Sequence, residues 1–469
     1  MGGTARTPLE QAVRGEVRRD RPTLEGVSGD ASHLTGRPSA VVRPVDDDDI
    51  VALVRWARTE SVPLVPRGAG TSLDGESVPA DGAVVVDLTG WNRVLELATD
   101  ERWARVGPGI GNFALQEAVR PHGLFFPPNP GSWHRSTVGG NVATNASGPR
   151  SFRYGAARSW VRALAVVFGN GARARLGTRS AKRSLGPDLL SLVVGSEGTL
   201  AIVTEVTVRL APLPAVRRGL VVPVGATVGT GAIAARLAGA ALEGLSAVEY
   251  VDRATSRALA DEGAPLGPAD SAWLLLEVEG PTAAEAERRA ARVVAELAAS
   301  GVTAPPQPFD DADEMWTRRG ESGSALDRRL GPRVREDVAV PVGRTDELLA
   351  ELERAAAEER VPLYVYGHLG EGSVHPNFAV DPASPVAARL RERTVRASLA
   401  LGGTISGEHG IGRLKRPFVE EELGPAAVGL LDAVKRWCDP DGILNPGKLY
   451  PTPRGGGRSA PSPSGAATP

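Results

Sequence analysis

Only six histidines occur in 469 residues, and two of them close one octet, HLGEGSVH, from His368 to His375. Folded as a hairpin with Glu371-Gly372 at the turn, the octet sets Gly370 opposite Ser373, Leu369 opposite Val374 and His368 opposite His375. Directly opposed residues hold their Cβ atoms about 5 Å apart, close enough for both imidazoles to share one divalent ion. The alternative is a pair of solvated histidines on a loop. A second stretch, GGTISGEHGIG, sets Glu408 and His409 among glycines. Its carboxylate could complete a metal site with a position left for substrate, and its imidazole could take a proton. By itself a Glu-His pair is more often a surface feature. The third stretch is the Arg-rich run from Trp316 to Val340, WTRRGESGSALDRRLGPRVREDVAV. Guanidinium forks pair with carboxylates, although most of these arginines read as a solvated basic loop, and the sequence does not select which one points inward.

Such groups need a wall to work against, and residues 127–155, PPNPGSWHRSTVGGNVATNASGPRSFRYG, offer one. The stretch is too rich in Gly, Asn, Ser and Pro for an ordinary helix or strand, and Val138, Val142, Ala143 and Ala146 are mostly small. Glycines and small side chains let a backbone approach a flat ligand closely, and free N–H groups can face phosphate or ring heteroatoms. A structureless loop of this length inside a compact domain is uncommon and usually functional. It is read here as a cofactor wall. Two other glycine-rich stretches are weaker. Gly107-Pro-Gly-Ile-Gly111 lacks the last glycine of a dinucleotide fingerprint and reads as a turn, and GAGTS is not followed by the Gly-Lys-Ser/Thr of a P-loop.

The supporting elements follow from local pattern. Asp46 to Asp49 precede Ile50–Arg58, whose apolar residues recur at helical spacing, so the four acids read as a cap rather than a metal site. Strands are expected at 83–88, with hairpins at 94–106 and at 163–177 around Gly169-Asn170-Gly171. A short helix at 189 leads through Gly195-Ser-Glu-Gly198 to a long strand, and Pro212 and Pro214 mark a boundary. Beyond it, strands at 220–224, 247–251, 272–278 and 362–366 alternate with Ala-rich helices at 231–242, 283–299 and 346–360. That order suggests an α+β layer with an antiparallel sheet.

Length favours two domains. With 54 basic and 56 acidic residues there is no charge excess to hold nucleic acid or an anionic membrane. No apolar run suits a signal peptide or a bilayer span, so a cytoplasmic chain is the default expectation. The single Cys438 excludes internal disulfides and an iron–sulfur cluster or Cys-based zinc site within this chain alone. Abundant Ala, Arg, Gly and Pro suggest a high-GC bacterial gene.

In order, PRGAGTS, PPNPGSWHRSTVGGNVATNASGP, VGSEGTLAIVTE, YGHLGEGSVHPNF, SGEHGIGRLKRP and DPDGILNPGKL resemble the motifs of vanillyl-alcohol-oxidase-type flavoproteins. The likeness runs from roughly Arg37 to Pro451 and is to the branch of glycolate oxidase subunits and D-lactate and D-2-hydroxyglutarate dehydrogenases. It implies an α+β fold: a two-subdomain PCMH-type FAD-binding domain at 37–214 after an N-terminal segment 1–36, and an antiparallel-sheet cap domain at 215–410. A segment 411–451 would return to the FAD domain, and 452–469 would be a disordered tail. The resemblance implies that Pro66, Arg67, Gly68, Ala69, Gly70, Thr71 and Ser72 cradle the pyrophosphate. Ser136, Thr137, Gly139, Gly140, Asn141 and Gly148 would line the flavin, joined by Pro128 and Asn145, with Gly198, Ile202 and Val203 toward the adenine and Asn445 returning from the C-terminal segment. Covalent relatives often carry His in the glycine turn where Thr71-Ser72 stands, so dissociable FAD is expected. His368, His375 and Glu408 fall on the family's metal positions (zinc first, manganese or iron as alternatives), His409 on its base, and Arg319, Arg335 and Asn377 on its substrate-binding positions.

The implied reaction is oxidation of a small D-2-hydroxy acid. Several residues depart from the family pattern: Glu371 and Ser373 replace Asp and Asn, Arg335 replaces Lys, Gly323 stands for a substrate-binding Thr, and Pro187 for Tyr. These leave a monocarboxylate such as lactate or glycolate better supported than a dicarboxylate. Electrons would leave to a separate acceptor, whether a quinone, an electron-transfer flavoprotein or an iron–sulfur subunit, and a homodimer is left open. The competing readings are an oxygen-using oxidase, a non-catalytic FAD-binding subunit, and a zinc hydrolase built on the same His/His/Glu set.

Overall fold

The computed structural model of the protein describes residues 8–225, 229–309 and 312–451, so the expected tail at 452–469 lies outside the described residues. The four acids behave as a helix start. The Asp46 side chain accepts from Asp49 N (3.0 Å) and opens the helix Asp47–Glu60, while buried Asp49 accepts from the backbone of Arg14 and Gly15 (2.7 and 2.8 Å). Ile50, Leu53, Val54 and Ala57 then pack on a four-stranded sheet ordered Glu16–Arg18, Ala40–Arg43, Val84–Asp87, Leu64–Arg67. A five-stranded antiparallel sheet follows, ordered Val94–Ala98, Trp103–Val106, Ala201–Arg209, Val161–Phe168, Arg173–Gly177, and it contains both expected hairpins.

An eight-stranded antiparallel sheet makes the second half. Its main path runs Gln307–Phe309, Val216–Val224, Ala272–Gly280, Leu245–Val251, Leu363–Gly367, Ser373–Phe378, Val334–Arg335, with Val338–Ala339 also pairing to Ser373–Phe378. Alternation along a strand sends successive side chains to opposite faces. Leu274, Leu276 and Val278 join the apolar layer under the helices Ala283–Ala299, Thr345–Glu359 and Pro385–Ala400. Trp273 and Leu275 face the other way, toward the helices Arg253–Asp261 and Ala312–Leu330. Glu277 and Glu279 share that second face by period, as do Glu249 beside Val251, and His375 and Asn377 between Val374 and Phe378. Leu64 N donates to Ile443 O and Asn445 N to Leu64 O (2.8 Å each), so the C-terminal segment closes on the first sheet.

Three expectations are corrected. The stretch 127–155 is not structureless: it holds the helix Val138–Thr144, capped by Thr137 accepting from Gly140 N (3.2 Å) and ended by Asn145 at φ 54. Caps at both ends and burial of Val138 and Val142 outweigh the two helix-weakening glycines. Most of the Arg-rich run is no loop either but the helix Ala312–Leu330, which buries Met315, Arg319, Ser322, Ala325 and Leu326 on one face. In the octet His375 pairs with Tyr366, not His368, because Leu369–Glu371 forms a 3-10 turn that takes up the extra residues.

Candidate active site

The 3-10 turn still brings the two imidazoles together, with ring centroids 5.0 Å apart and planes at 84°. His368 Nε2 lies 2.7 Å and His375 Nε2 3.4 Å from the same oxygen, Glu408 Oε1. The rear nitrogens each face a carboxylate: His368 Nδ1 is 2.5 Å from Glu249 Oε1, and His375 Nδ1 is 3.3 Å from Asp337 Oδ1. Two imidazole nitrogens and a carboxylate converging in this way, each ring oriented from behind by an acid, form a donor set suited to a divalent ion. The three ligand atoms lie within 4.8 Å of one another. His409 stacks on His375 at 4.8 Å, and Asp337, His375 and His409 form a second, overlapping group of the same kind.

Charge accounts for the protonation of this cluster. Burial works against ionisation of Glu408, yet His368 and His375 hold its carboxyl well below the usual range. Burial likewise opposes charge on His368, and Glu249 and Glu408 raise it well above the ordinary imidazole value. His409 goes the other way, pushed down to about 4 by burial against the pull of Asp337. Asp337 also fixes the backbone: its Oδ2 accepts from Glu408 N (2.7 Å), His409 N (2.8 Å) and Ser406 Oγ (3.1 Å). From the stretch 127–155, Ser147 Oγ donates to Glu408 Oε2 (2.7 Å).

These groups open onto a cavity of ≈ 460 Å³ that runs from the histidines to the 66–72 turn. Arg319 enters it from the helix Ala312–Leu330, donating from Nη2 to Glu249 Oε2 (2.7 Å) with its guanidinium 4.7 Å over the Tyr366 ring. Arg335 also lines the cavity and donates to Asp327 and to His33 Nε2 (3.0 Å). Asn377 does not line it. Its Oδ1 accepts from Arg333 Nε (2.9 Å), and its Nδ2 donates to His375 O (2.8 Å). The substituted positions are engaged too, Glu371 accepting from Ser151 Oγ and Ser373 Oγ donating to Asp337 Oδ1 (3.3 Å).

Pro66, Arg67, Gly68, Ala69, Gly70, Thr71 and Ser72 all face the cavity, as do Thr137, Gly139, Gly140, Asn141, Gly198 and Val203. Pro128, Ser136, Asn145, Gly148, Ile202 and Asn445 stand behind this wall. Arg67 is turned into the protein, donating to Gly29 O (2.7 Å) and Ser77 O (3.1 Å). Two observations fit a planar, anionic cofactor. A Cβ on Gly68 would sit 2.2 Å from Thr137 Oγ1, so wall and turn approach as only glycine permits. Asn141 Nδ2, on the cavity wall, is buried without a hydrogen-bond partner, the mark of a site that a ligand completes.

Sequence reasoning missed Glu249, Asp337, Tyr366 and His33. An acid inside the apolar strand LSAVEYV was the available signal for Glu249, while His33 sits in a weakly patterned segment that gave none.

A model of FAD linked oxidases, C-terminal domain, matches residues 213–449, and a model of an FAD binding domain matches residues 38–177. The chain is 33% identical over 425 residues to glycolate oxidase subunit GlcD of Bacillus subtilis (strain 168), covering 88% of this chain and 89% of the relative. It is 34% identical over 417 residues to a D-lactate dehydrogenase of Archaeoglobus fulgidus (87% and 90% covered) and 31% over 452 to a D-2-hydroxyglutarate dehydrogenase of Stutzerimonas stutzeri (93% and 96%). Among solved structures, p-cresol methylhydroxylase superposes with a TM-score of 0.79 at 15% identity, covering 94% of this chain and 95% of that one. A 4-ethylphenol oxidase from Gulosibacter chungangensis gives 0.75 at 20% identity, covering 94% and 96%; at such identities the likeness is one of fold.

Proposed function

The chain belongs to the FAD-linked oxidases, in the branch of glycolate oxidase subunits and D-lactate and D-2-hydroxyglutarate dehydrogenases, and from that premise we propose that it oxidises a small D-2-hydroxy acid to the 2-oxo acid at a metal-assisted site. The observation that supports this most is the convergence of His368, His375 and Glu408 beside His409, at the end of the cavity that faces Arg319. FAD, when bound against the 66–72 turn and the 137–141 wall, supplies the acceptor for the hydrogen and electron pair leaving C2. A divalent ion held by His368, His375 and Glu408 would supply a Lewis acid for the oxygens of the substrate.

The residues of the chain do the positioning. Arg319 binds the substrate carboxylate while Glu249 steadies its guanidinium from behind. His409, neutral because burial depresses its pKa to about 4, takes the hydroxyl proton on an imidazole nitrogen. Tyr366 and Trp316 wall the substrate from water. Orientation and preplaced charge account for most of the barrier reduction. Thr71 and Ser72 in the turn favour non-covalent FAD. With one cysteine in the chain, the electrons pass onward to a separate acceptor.

The test is a visible spectrum of the purified protein followed by anaerobic addition of D-lactate, glycolate and D-2-hydroxyglutarate. A yellow protein bleached by one of them is the expected result. A protein that binds flavin but is bleached by none of these acids would overturn the proposed substrate class. No bound flavin, with none taken up on adding FAD, would contradict the cofactor as well.

A further inference from the structure

Along the helix Ala312–Leu330, Trp316, Arg319, Gly320, Gly323, Ser324 and Asp327 recur at helical spacing on the face that lines the cavity. Glycine weakens a helix interior, yet two stand on this face. A Cβ on Gly320 would meet nothing within 4 Å, and one on Gly323 only Tyr366 Oη at 3.5 Å. The space beside them is open, so size does not bar a substrate tail of several carbons.

The two arginines that meet this space differ in what stands beside them. Arg319 is paired with Glu249, whose fully buried side chain lies behind the guanidinium and away from the cavity. An anion reaching Arg319, whose Nε is buried and unpartnered, therefore meets the cation first. Arg335 is paired with Asp327, which is half exposed and lines the cavity itself. Asp327 Oδ1 accepts from Arg335 and from Arg333 Nη1 (2.7 Å), and His33 Nε2 accepts from Arg335 at 3.0 Å. Arg335 keeps an unpartnered Nε for a neutral acceptor, but a second carboxylate approaching it meets Asp327 as well. Like charges set side by side are a standard means of rejecting the wrong ligand.

We propose that Asp327 makes this end of the cavity select a 2-hydroxy acid whose tail extends past Gly320 and Gly323 but carries no second carboxylate. The inference rests on the hydroxy-acid reading above and adds the class of tail. The holoenzyme is tested anaerobically by stopped-flow flavin reduction with D-2-hydroxyhexanoate, D-2-hydroxyglutarate and D-lactate. In the wild type, the apparent second-order rate constant of flavin reduction by the hexanoate should exceed that by the glutarate by at least about tenfold; Asp327→Asn should shrink that ratio about tenfold, and Asp327→Glu should preserve it. Glutarate reducing the flavin as well as hexanoate does, or a ratio unmoved by Asp327→Asn, would overturn the proposal and leave the hydroxy-acid reading standing. Reduction by none of the three would remove both.

Discussion

Among His368, His375 and His409, the last is the one that burial leaves uncharged, and its neighbours divide the other tasks. Replacing it with Ala should leave flavin and metal content intact and slow flavin reduction by about 10²–10⁴-fold; rapid reduction in the variant would end its role as base. Glu249 is argued to act from behind, through His368 and Arg319 together. Glu249→Gln should weaken metal retention about 10–100-fold, read by elemental analysis after dialysis against a chelator, and should raise KM for the hydroxy acid. Unchanged retention would reduce Glu249 to a partner of the arginine alone. How far these residues could be read from sequence depended on rarity. His368, His375, Glu408 and His409 stand out because histidine is scarce and glycine surrounds them. Glu249 does not, since an acid in a strand ordinarily marks a solvated face, and here that face is the floor of a site.

At the scale of elements, a buried cap offers a pH-dependent test. Asp252 accepts from Thr255 N (2.7 Å) to start the helix Arg253–Asp261, and from Val365 N (2.9 Å) to tie it to the strand before the histidine octet. Burial pushes its carboxyl up to about 6. Because the unfolded chain titrates near 3.9, the folded state holds an extra proton between the two values. The stabilisation is therefore complete below about pH 4 and lost as pH rises through 6, a span of ~3 kcal/mol. Asp252→Asn cannot ionise, so its melting temperature should improve relative to wild type from pH 4 to pH 7; a constant difference would contradict the assignment. Elements built on clear periodicity, such as Ala283–Ala299, were legible in advance. Ala312–Leu330 was not, because six arginines and three glycines in the run from Trp316 to Val340 hide the narrow stripe Met315, Ser322, Ala325, Leu326. Val138–Thr144 was hidden in turn by its paired glycines, although Thr137 and Asn145 are its cap residues in plain view.

At the scale of the molecule, the halves are joined by buried charge. Arg150, next to the helix Ser151–Tyr154, donates from Nε to Glu277 Oε1 (3.0 Å) on the large sheet, and Trp316 Nε1 donates to Glu277 Oε2 (2.6 Å). Removing one partner of a buried pair strands the other, and among the described residues only Arg217 Nη1, 3.4 Å from Glu277 Oε2, would remain to offset that charge. Arg150→Met should cost on the order of 3 kcal/mol, and adding Glu277→Gln should recover most of it, measured by thermal unfolding. No recovery would mean that packing, not charge, joins the halves there. Sequence order could not announce this contact, since its partners lie 127 positions apart. The same long-range closure governs the segment that carries Glu408 and His409. Its first residues hang from Asp337 on the cap side, while Ile411 N and Gly412 N donate to Glu197 (2.6 and 3.0 Å) and Arg413 Nη2 to Pro79 O (2.9 Å) on the other. The loop that bears Glu408 and His409 is thus strung between two anchors that belong to different modules. A chimera that exchanges one cap for another inherits only one end of that string, so specificity in this architecture can be transplanted only together with Glu197, Asp337 and the loop they share.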